Sequence, residues 1–379
     1  MSTPDPHRTV TPGATRARVE PLLDRFGITR VAELTGLDDV GLPVHVAYRP
    51  CGATLAVSIG IGLEPDHSWV GAVMESIEIW HGENPVLDVV ATAPASTVDL
   101  PYDVRDLTLA AGSPMTDRTV LDWVAGTGLL SGRRTAVPYG IVRLDSTERL
   151  SWDQVLFDSS SNGMATGNTM AEATLHGLLE VIERDSCAPF LTTALADRRW
   201  ADPDSTDAAG TKAVLAALRA AGCTVELCET TGPLGVPCYA ASVWSPELPV
   251  HFTGFGCHPD ADRAAARAMS EAILSRLAGI SGARDDLDEA FYANADPGAD
   301  PGRVVRSPRP LGGSAGPDGG IEATIRFCAE QVERVTGVEP VAVDLTRPDV
   351  GIPAVKVVAP GLRMLDGRAM AARPGERDG

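Results

Sequence analysis

What this chain lacks narrows its function first. No CxxC pair occurs among its seven cysteines (Cys51, Cys187, Cys223, Cys228, Cys238, Cys257 and Cys328), so neither a zinc site nor a disulfide scaffold is indicated. The closest two, Cys223 and Cys228, sit in CTVELC, which reads as a strand with ordinary core cysteines. A reducing cytoplasm is the compartment that fits. The N-terminus, MSTPDPHRTVTPG, has no signal-peptide core, and no apolar run reaches membrane-spanning length. Basic residues are scarce. Against 51 Asp and Glu stand 32 Lys and Arg, a net charge of −19, which argues against a nucleic-acid surface because phosphate contacts need clustered cations. No repeat of fixed short period occurs. Neither a P-loop GxxxxGK[ST] nor a kinase signature set is present, which sets aside a conventional phosphotransferase.

What is present is the composition of an ordinary globular protein. The 379 residues are 44% hydrophobic and 22% charged, enough for one large domain or two. After a polar lead-in over 1–12, the pattern predicts a helix at 13–26, strands at 43–49 and 54–62, and a helix at 68–83. Residues 84–134 read as loop-rich, 135–144 as a strand, and 145–158 as a connecting segment. A helix at 207–221 precedes the strands CTVELCE, GVPCYAASVW and HFTGFGCHP. The segment 261–287 opens as an Ala-rich helix, and 294–320 reads as a Gly/Pro/Asp-rich surface loop. A helix at 321–336, the strands EPVAVDL and PAVKVVAP, and a disordered tail at 363–379 complete the chain. Helices and strands mix without strict βαβ alternation, so the expected class is α+β, with one domain over 13–362.

The rest is organised around SSSNGMATGNTMAEATLHGLLEVIERDS, residues 159–186. A Ser/Gly/Asn-rich loop runs directly into an amphipathic helix, apolar at Met170, Ala173, Leu175, Leu178, Leu179, Val181 and Ile182. Thr169 and Glu172 read as an N-terminal capping box. Asn168, Glu172, His176, Glu180, Glu183 and Arg184 recur at steps of three or four and share roughly one face. Three glutamates on one stripe repel unless cations lie between them. A solvated outer stripe is the ordinary reading; beside a Gly-rich loop able to approach an anion, a metal-and-phosphate site is the sharper one. Glu75 and Glu78 sit three apart on the helix at 68–83 and repeat the pattern. Taken alone they would be solvated helix carboxylates, but a second such helix weakens that reading.

These residues resemble the YcaO family, ATP-dependent enzymes that activate peptide-backbone amides. GNTMAEATLHGLLEVIERD is similar to its signature segment and VMESIE to its first carboxylate helix. RTVTPGATRARV, HPDADRAAARAMSEAILSRLAGISGARDDL and VDLTRPDVGIPAVKVVAPGL resemble further blocks, so the likeness runs from about residue 8 to 362. It implies a YcaO-like fold, mixed sheets with helices around a cleft for ATP and Mg2+. It also implies that Glu75, Glu78, Glu172, Glu180 and Glu183 hold magnesium, with Asn168, Arg184, Arg267 and Glu271 at further nucleotide positions. Without the likeness, Arg267 and Glu271, four apart, are equally well read as a surface salt bridge.

In the reaction the likeness implies, a nucleophile attacks a backbone carbonyl, the oxyanion takes a phosphoryl group from ATP, and loss of phosphate removes the carbonyl oxygen. The product is a thioamide, azoline or amidine. No general base is assigned, and His176 is as well read as a packed structural histidine. The opening and GITRVAELTGLDDVGLPV look most like members that work with a TfuA-like partner in thioamidation. The expected partners are a ribosomally made precursor peptide and a TfuA-like or leader-peptide-binding protein, with a homodimer as the self-association. No added leader-binding domain is expected, and no nucleic acid or membrane.

Four positions depart from the family pattern. Gly60-Ile61-Gly62 stands where Gly-Lys-Gly is usual, Gly71 where a Ser is usual, Leu274-Ser275-Arg276 where Gln-Ser-Arg is usual, and Arg363 where PGLE has Glu. The Pro-rich ending of azoline-forming members is also missing. The glutamates favour an active enzyme; the departures favour a catalytically silent homologue that scaffolds a partner or binds the peptide.

Overall fold

Thr11 starts the first helix by accepting from the Ala14 amide, with Pro12 pre-set at the first helical position. That helix, α1 (Pro12–Val19), tightens into a 3-10 turn through Phe26. The computed structural model describes residues 7–145, 152–282, 308–317 and 319–364. Strands β1 (Arg30–Glu33), β2 (Val44–Tyr48) and β3 (Val57–Ile61) form an antiparallel sheet covered by α2 (Pro65–Glu83).

A second sheet follows from β4 (Val89–Pro94), β5 (Val120–Gly128) and β6 (Arg134–Pro138), then the short helices α3 (Tyr139–Val142) and α4 (Trp152–Leu156), β7 (Met164–Thr166) and the long α5 (Met170–Cys187). β8 (Arg199–Asp202), α6 (Ala209–Ala220), β9 (Thr224–Glu229), β10 (Cys238–Trp244), β11 (Phe252–Cys257) and α7 (Ala261–Ser281) build the next layer. β12 (Arg309–Pro310), α8 (Ile321–Thr336), β13 (Val341–Asp344) and β14 (Ala354–Val358) end the described chain. The sheet orders are β1-β2-β3, β11-β10-β9-β8-β12 and β4-β5-β13-β14-β7, with β6 beside β5. The expected α+β class with mixed sheets is what forms.

α5 is the central element. Its apolar side (Ala173, Leu175, Leu178, Leu179, Val181, Ile182) packs with Val355 and Val357 of β14 and with Ile325, Cys328 and Val332 of α8. Fully burying a side chain such as Leu178 or Ile182 stabilises the fold by about 1.5–3 kcal/mol each. Close packing at one end of α5 depends on glycine. Gly163 has φ +78°, and a Cβ there would meet the Val357 carbonyl at 2.2 Å. That contact presses the signature loop onto β14 and so brings α5 and β14 to one site.

The regions read as loop or as one long strand differ from expectation for identifiable reasons. Residues 84–134 hold β4 and all of β5. β4 ends a sheet with Val89 and Val90 exposed, so the alternation that marks a half-buried strand is missing. The strand expected over 135–144 stops at Pro138, which cannot donate to a ladder, and the chain turns into α3. β1, in a stretch where the sequence pattern assigns no element, forms by pairing with β2. Six cysteines are buried and Cys51 is exposed, all as free thiols. The tail beyond 364, the end of the 261–287 segment beyond 282, residues 146–151 of the connecting segment, and 294–307 with 318 of the Gly/Pro/Asp-rich loop lie outside the described residues. Among the described residues no helix is long and apolar enough to cross a membrane.

Candidate functional site

α2, α5, α7 and β14 bring their charged residues to one place. Glu78, on α2, faces Glu180, on α5, through their mutual repulsion. Desolvation, then Glu180 and Glu75, push Glu78 well above the usual carboxylate range. Glu180 is pushed up by desolvation and by Glu183, against the pull of Arg184 at 3.6 Å. The backbone groups of Thr166 and Gly163 work against these rises, on Glu78 and Glu180 respectively. Glu75, on the exposed side of α2, accepts from the Ile59 amide at 3.1 Å.

α7 closes the far wall. Glu271 is open to solvent yet ringed by protein charge, and its pKa is pushed up to about 7 by desolvation and by Glu183, against Arg267 and Arg184. Arg267 Nη2 lies 3.4 Å from His176 Nε2. Burial and Arg267 drive His176 down to about 3, too weak a base to accept a proton in catalysis near neutrality.

Glu172 and Asn168 do something else. Asn168 donates to Glu172 Oε2 from both its backbone N and its Nδ2, each at 3.0 Å, and its Oδ1 accepts from Thr15 at 2.9 Å. Glu172 Oε1 takes the Thr9 hydroxyl at 2.6 Å and the Thr9 amide. Burial pushes Glu172 up, but these donors outweigh it and hold its pKa below the usual value. Thr169 caps α5 as expected, accepting from Glu172 N at 3.2 Å. The return arm of the capping box goes to Asn168 N, one residue early. Glu172 thus pins residues 7–11 onto α5, two turns and about 12 Å from Glu180. Both Glu172 carboxylate oxygens already accept from these donors.

Sequence reasoning missed Lys356, which is 3% exposed in the middle of β14. Its Nζ donates to the Ser160 carbonyl at 2.6 Å, and its charge faces Glu180, Glu78 and Asp158. The signal was visible: a lone charge in the apolar run AVKVV, and one of only two lysines in the chain.

A carboxylate string with embedded cations is a setting for polyanions carried by metal ions. Over residues 59–363 the sequence matches the family described as YcaO cyclodehydratase, ATP- and Mg2+-binding. The chain belongs to the YcaO family. An uncharacterized protein of Mycobacterium tuberculosis is 38% identical over 371 residues, 94% of this chain and 82% of that one. A protein in the tfuA 3′ region of Rhizobium leguminosarum bv. trifolii is 34% identical over 380 residues, 94% and 89% of the two chains. Among solved structures, YcaO from Methanopyrus kandleri bound with AMPPCP and Mg2+ superposes with a TM-score of 0.75 at 20% identity, covering 98% of this chain and 97% of that one. A heterocyclase in complex with substrate and cofactor gives 0.70 at 20%, covering 94% and 53%. These two likenesses establish a shared YcaO fold.

Within that fold the four departures have packing explanations. Ile61 and Leu274 join the same apolar cluster, with Val44, Val46 and Leu277, where β2 and β3 meet α7. Two apparent losses of polarity are therefore one apolar patch. Gly71 lets α2 lie close on β3: a Cβ there would stand 3.2 Å from Gly60 Cα. Arg363 belongs to the buried Asp185 of α5, which accepts its amide at 3.0 Å and lies 3.6 Å from its Nε. Arg276, beside Leu274, is committed to Asp38 at 2.9 Å.

Proposed function

We propose that this YcaO-family chain is an ATP-dependent enzyme that activates a backbone amide of a ribosomally made precursor peptide. The observation that carries the reading is the half-buried Glu78–Glu180 pair, in which desolvation and then the Glu180 charge push Glu78 well above the usual carboxylate range. Such a pair costs stability unless a cation is placed between its members. Carboxylate oxygens are the donor set magnesium takes. Because magnesium keeps several waters and uses only one or two carboxylates with substrate phosphates, a splayed string rather than a closed cage fits it. Among the described residues no three ligand side chains already converge on one ion.

Glu78, Glu180 and Glu183, with Glu75 at the rim, are the magnesium carboxylates in this reading, and Arg184, Arg267 and Glu271 line the nucleotide. Bound ATP and magnesium supply the electrophilic phosphoryl group and its charge neutralisation. The protein's own part is to position, exclude water and hold charge. The nucleophile adds to the amide carbon, the oxygen takes the phosphoryl group as ADP leaves, and the C–O bond breaks to release phosphate.

Thioamidation with a TfuA-like partner is the outcome we favour, supported by the relative in the tfuA 3′ region. The test is the purified chain with a TfuA-like protein, candidate precursor peptides, Mg-ATP and sulfide, followed by mass spectrometry and phosphate release. Oxygen-for-sulfur exchange with matching phosphate is expected. Loss of water instead would make it a cyclodehydratase. No ATP consumption with any partner would leave a scaffold.

A further inference from the structure

Lys356 has no role in the magnesium set, yet it is buried beside it. The chain's other lysine, Lys212, is exposed and paired with Asp207. A lysine is almost never fully buried unless paired, and Lys356 is paired with the Ser160 carbonyl and faces Glu180, Glu78 and Asp158. Desolvation lowers its pKa to about 8, with Glu180 and Glu78 opposing the fall, so at neutral pH it is mainly a cation.

The carboxylate string has two cationic ends. Arg184, 3.6 Å from Glu180, and Arg267 answer Glu180, Glu183 and Glu271 where α5 meets α7. Lys356 answers Glu180 and Glu78 at β14. A triphosphate laid along the string has its nucleoside at one end and its transferring phosphoryl at the other. The β14 end borders a cavity lined by Thr108, Asp158, Ser160, Asn162, Lys356 and Arg363, with about 30 Å³ open to water-sized occupants. That is room for about two waters, and a carbonyl group fits there. Asn162 Oδ1, buried and without a hydrogen-bond partner among the described residues, offers an acceptor to an incoming amide N–H.

We propose that Lys356 contacts the terminal, transferring phosphoryl group of the nucleotide, and that the acceptor amide enters through the adjoining cavity. This rests on the nucleotide reading above and adds to it the orientation of the triphosphate and a phosphate-directed charge supplied from β14. Ser160 O fixes the ammonium, and Asp158 balances it on the cavity side. The contact is charge-assisted and is made only with a nucleotide that carries the terminal phosphate.

With two lysines in the chain, an ATP analogue acylated on its terminal phosphate is a direct probe. An amine beside that phosphate attacks the acyl carbonyl, an amide forms, ATP leaves, and a proton goes to solvent. In the presence of magnesium, peptide mapping is expected to find acylation at Lys356 and not Lys212, suppressed by excess Mg-ATP. Label confined to Lys212, or absent from Lys356 in protein that binds Mg-ATP, overturns the proposal. A protein that binds no Mg-ATP overturns the nucleotide reading itself. As a second measure, Lys356→Met is expected to lower the ATP-to-ADP affinity ratio by about tenfold or more, with ADP affinity held and Lys356→Arg restoring most of the ratio. An unchanged ratio in Lys356→Met, with ADP still bound, contradicts the contact.

Discussion

At the scale of single residues, the charged stripe on α5 meets two sets of partners that spacing alone cannot separate. Glu172 and Glu180 lie on the same face, yet Glu172 is saturated by Thr9 and Asn168 while Glu180 is pressed against Glu78. The difference comes from partners distant in sequence, Thr9 for one and Glu78 for the other, so the stripe was legible and the division was not. A pKa held low means that Glu172 contributes stability above the usual carboxylate value and loses that contribution as pH falls through its folded value. Glu172→Gln puts an amide donor against existing donors. It is expected to cost about 2 kcal/mol in denaturant unfolding, with Mg-ATP affinity close to that of the unaltered chain. A loss of Mg-ATP affinity as large as that from altering Glu180 would return Glu172 to the magnesium set.

At the scale of elements, helices were more legible than strands. α8 matches the expected 321–336 end for end, and α2 and α5 were recognisable because apolar and charged faces repeat over several turns. β7, three fully buried residues, and the edge strand β4 carry no alternation to read. Their place is set by Ala354–Lys356 on one side and Leu121–Val124 on the other. Lys356 was passed over for the same reason. Within PAVKVVAP it reads as the polar member of a half-buried strand, whereas β14 lies inside a sheet and is buried along its length. The family departures also make sense only as packing between elements. Ile61 and Leu274 are far apart in sequence and share one apolar cluster where β3 meets α7.

At the scale of the whole molecule, three helices and a strand from separate parts of the chain hold carboxylates together against their repulsion, and that strain has a pH signature. Carboxylates whose folded pKa is raised, Glu78 and Glu180 in direction and Glu271 to about 7, cost stability progressively as pH rises above the usual 4.5. His176, held low, adds an opposite slope from about 3 to its usual 6.5, but magnesium leaves that contribution unchanged. The magnesium-dependent gain in Tm is therefore the informative quantity. By scanning calorimetry it is expected to be larger at about pH 8 than at about pH 5, since protons and magnesium compete for the same oxygens. A gain independent of pH would place magnesium elsewhere. The central claim, that this cluster is a magnesium–nucleotide site, is tested most directly by isothermal titration of Mg-ATP into the unaltered chain and into a Glu180→Gln Glu183→Gln variant. Micromolar binding is expected in the first and its loss in the second, with both proteins melting cooperatively. Equal binding in the two, or none in either, would contradict it.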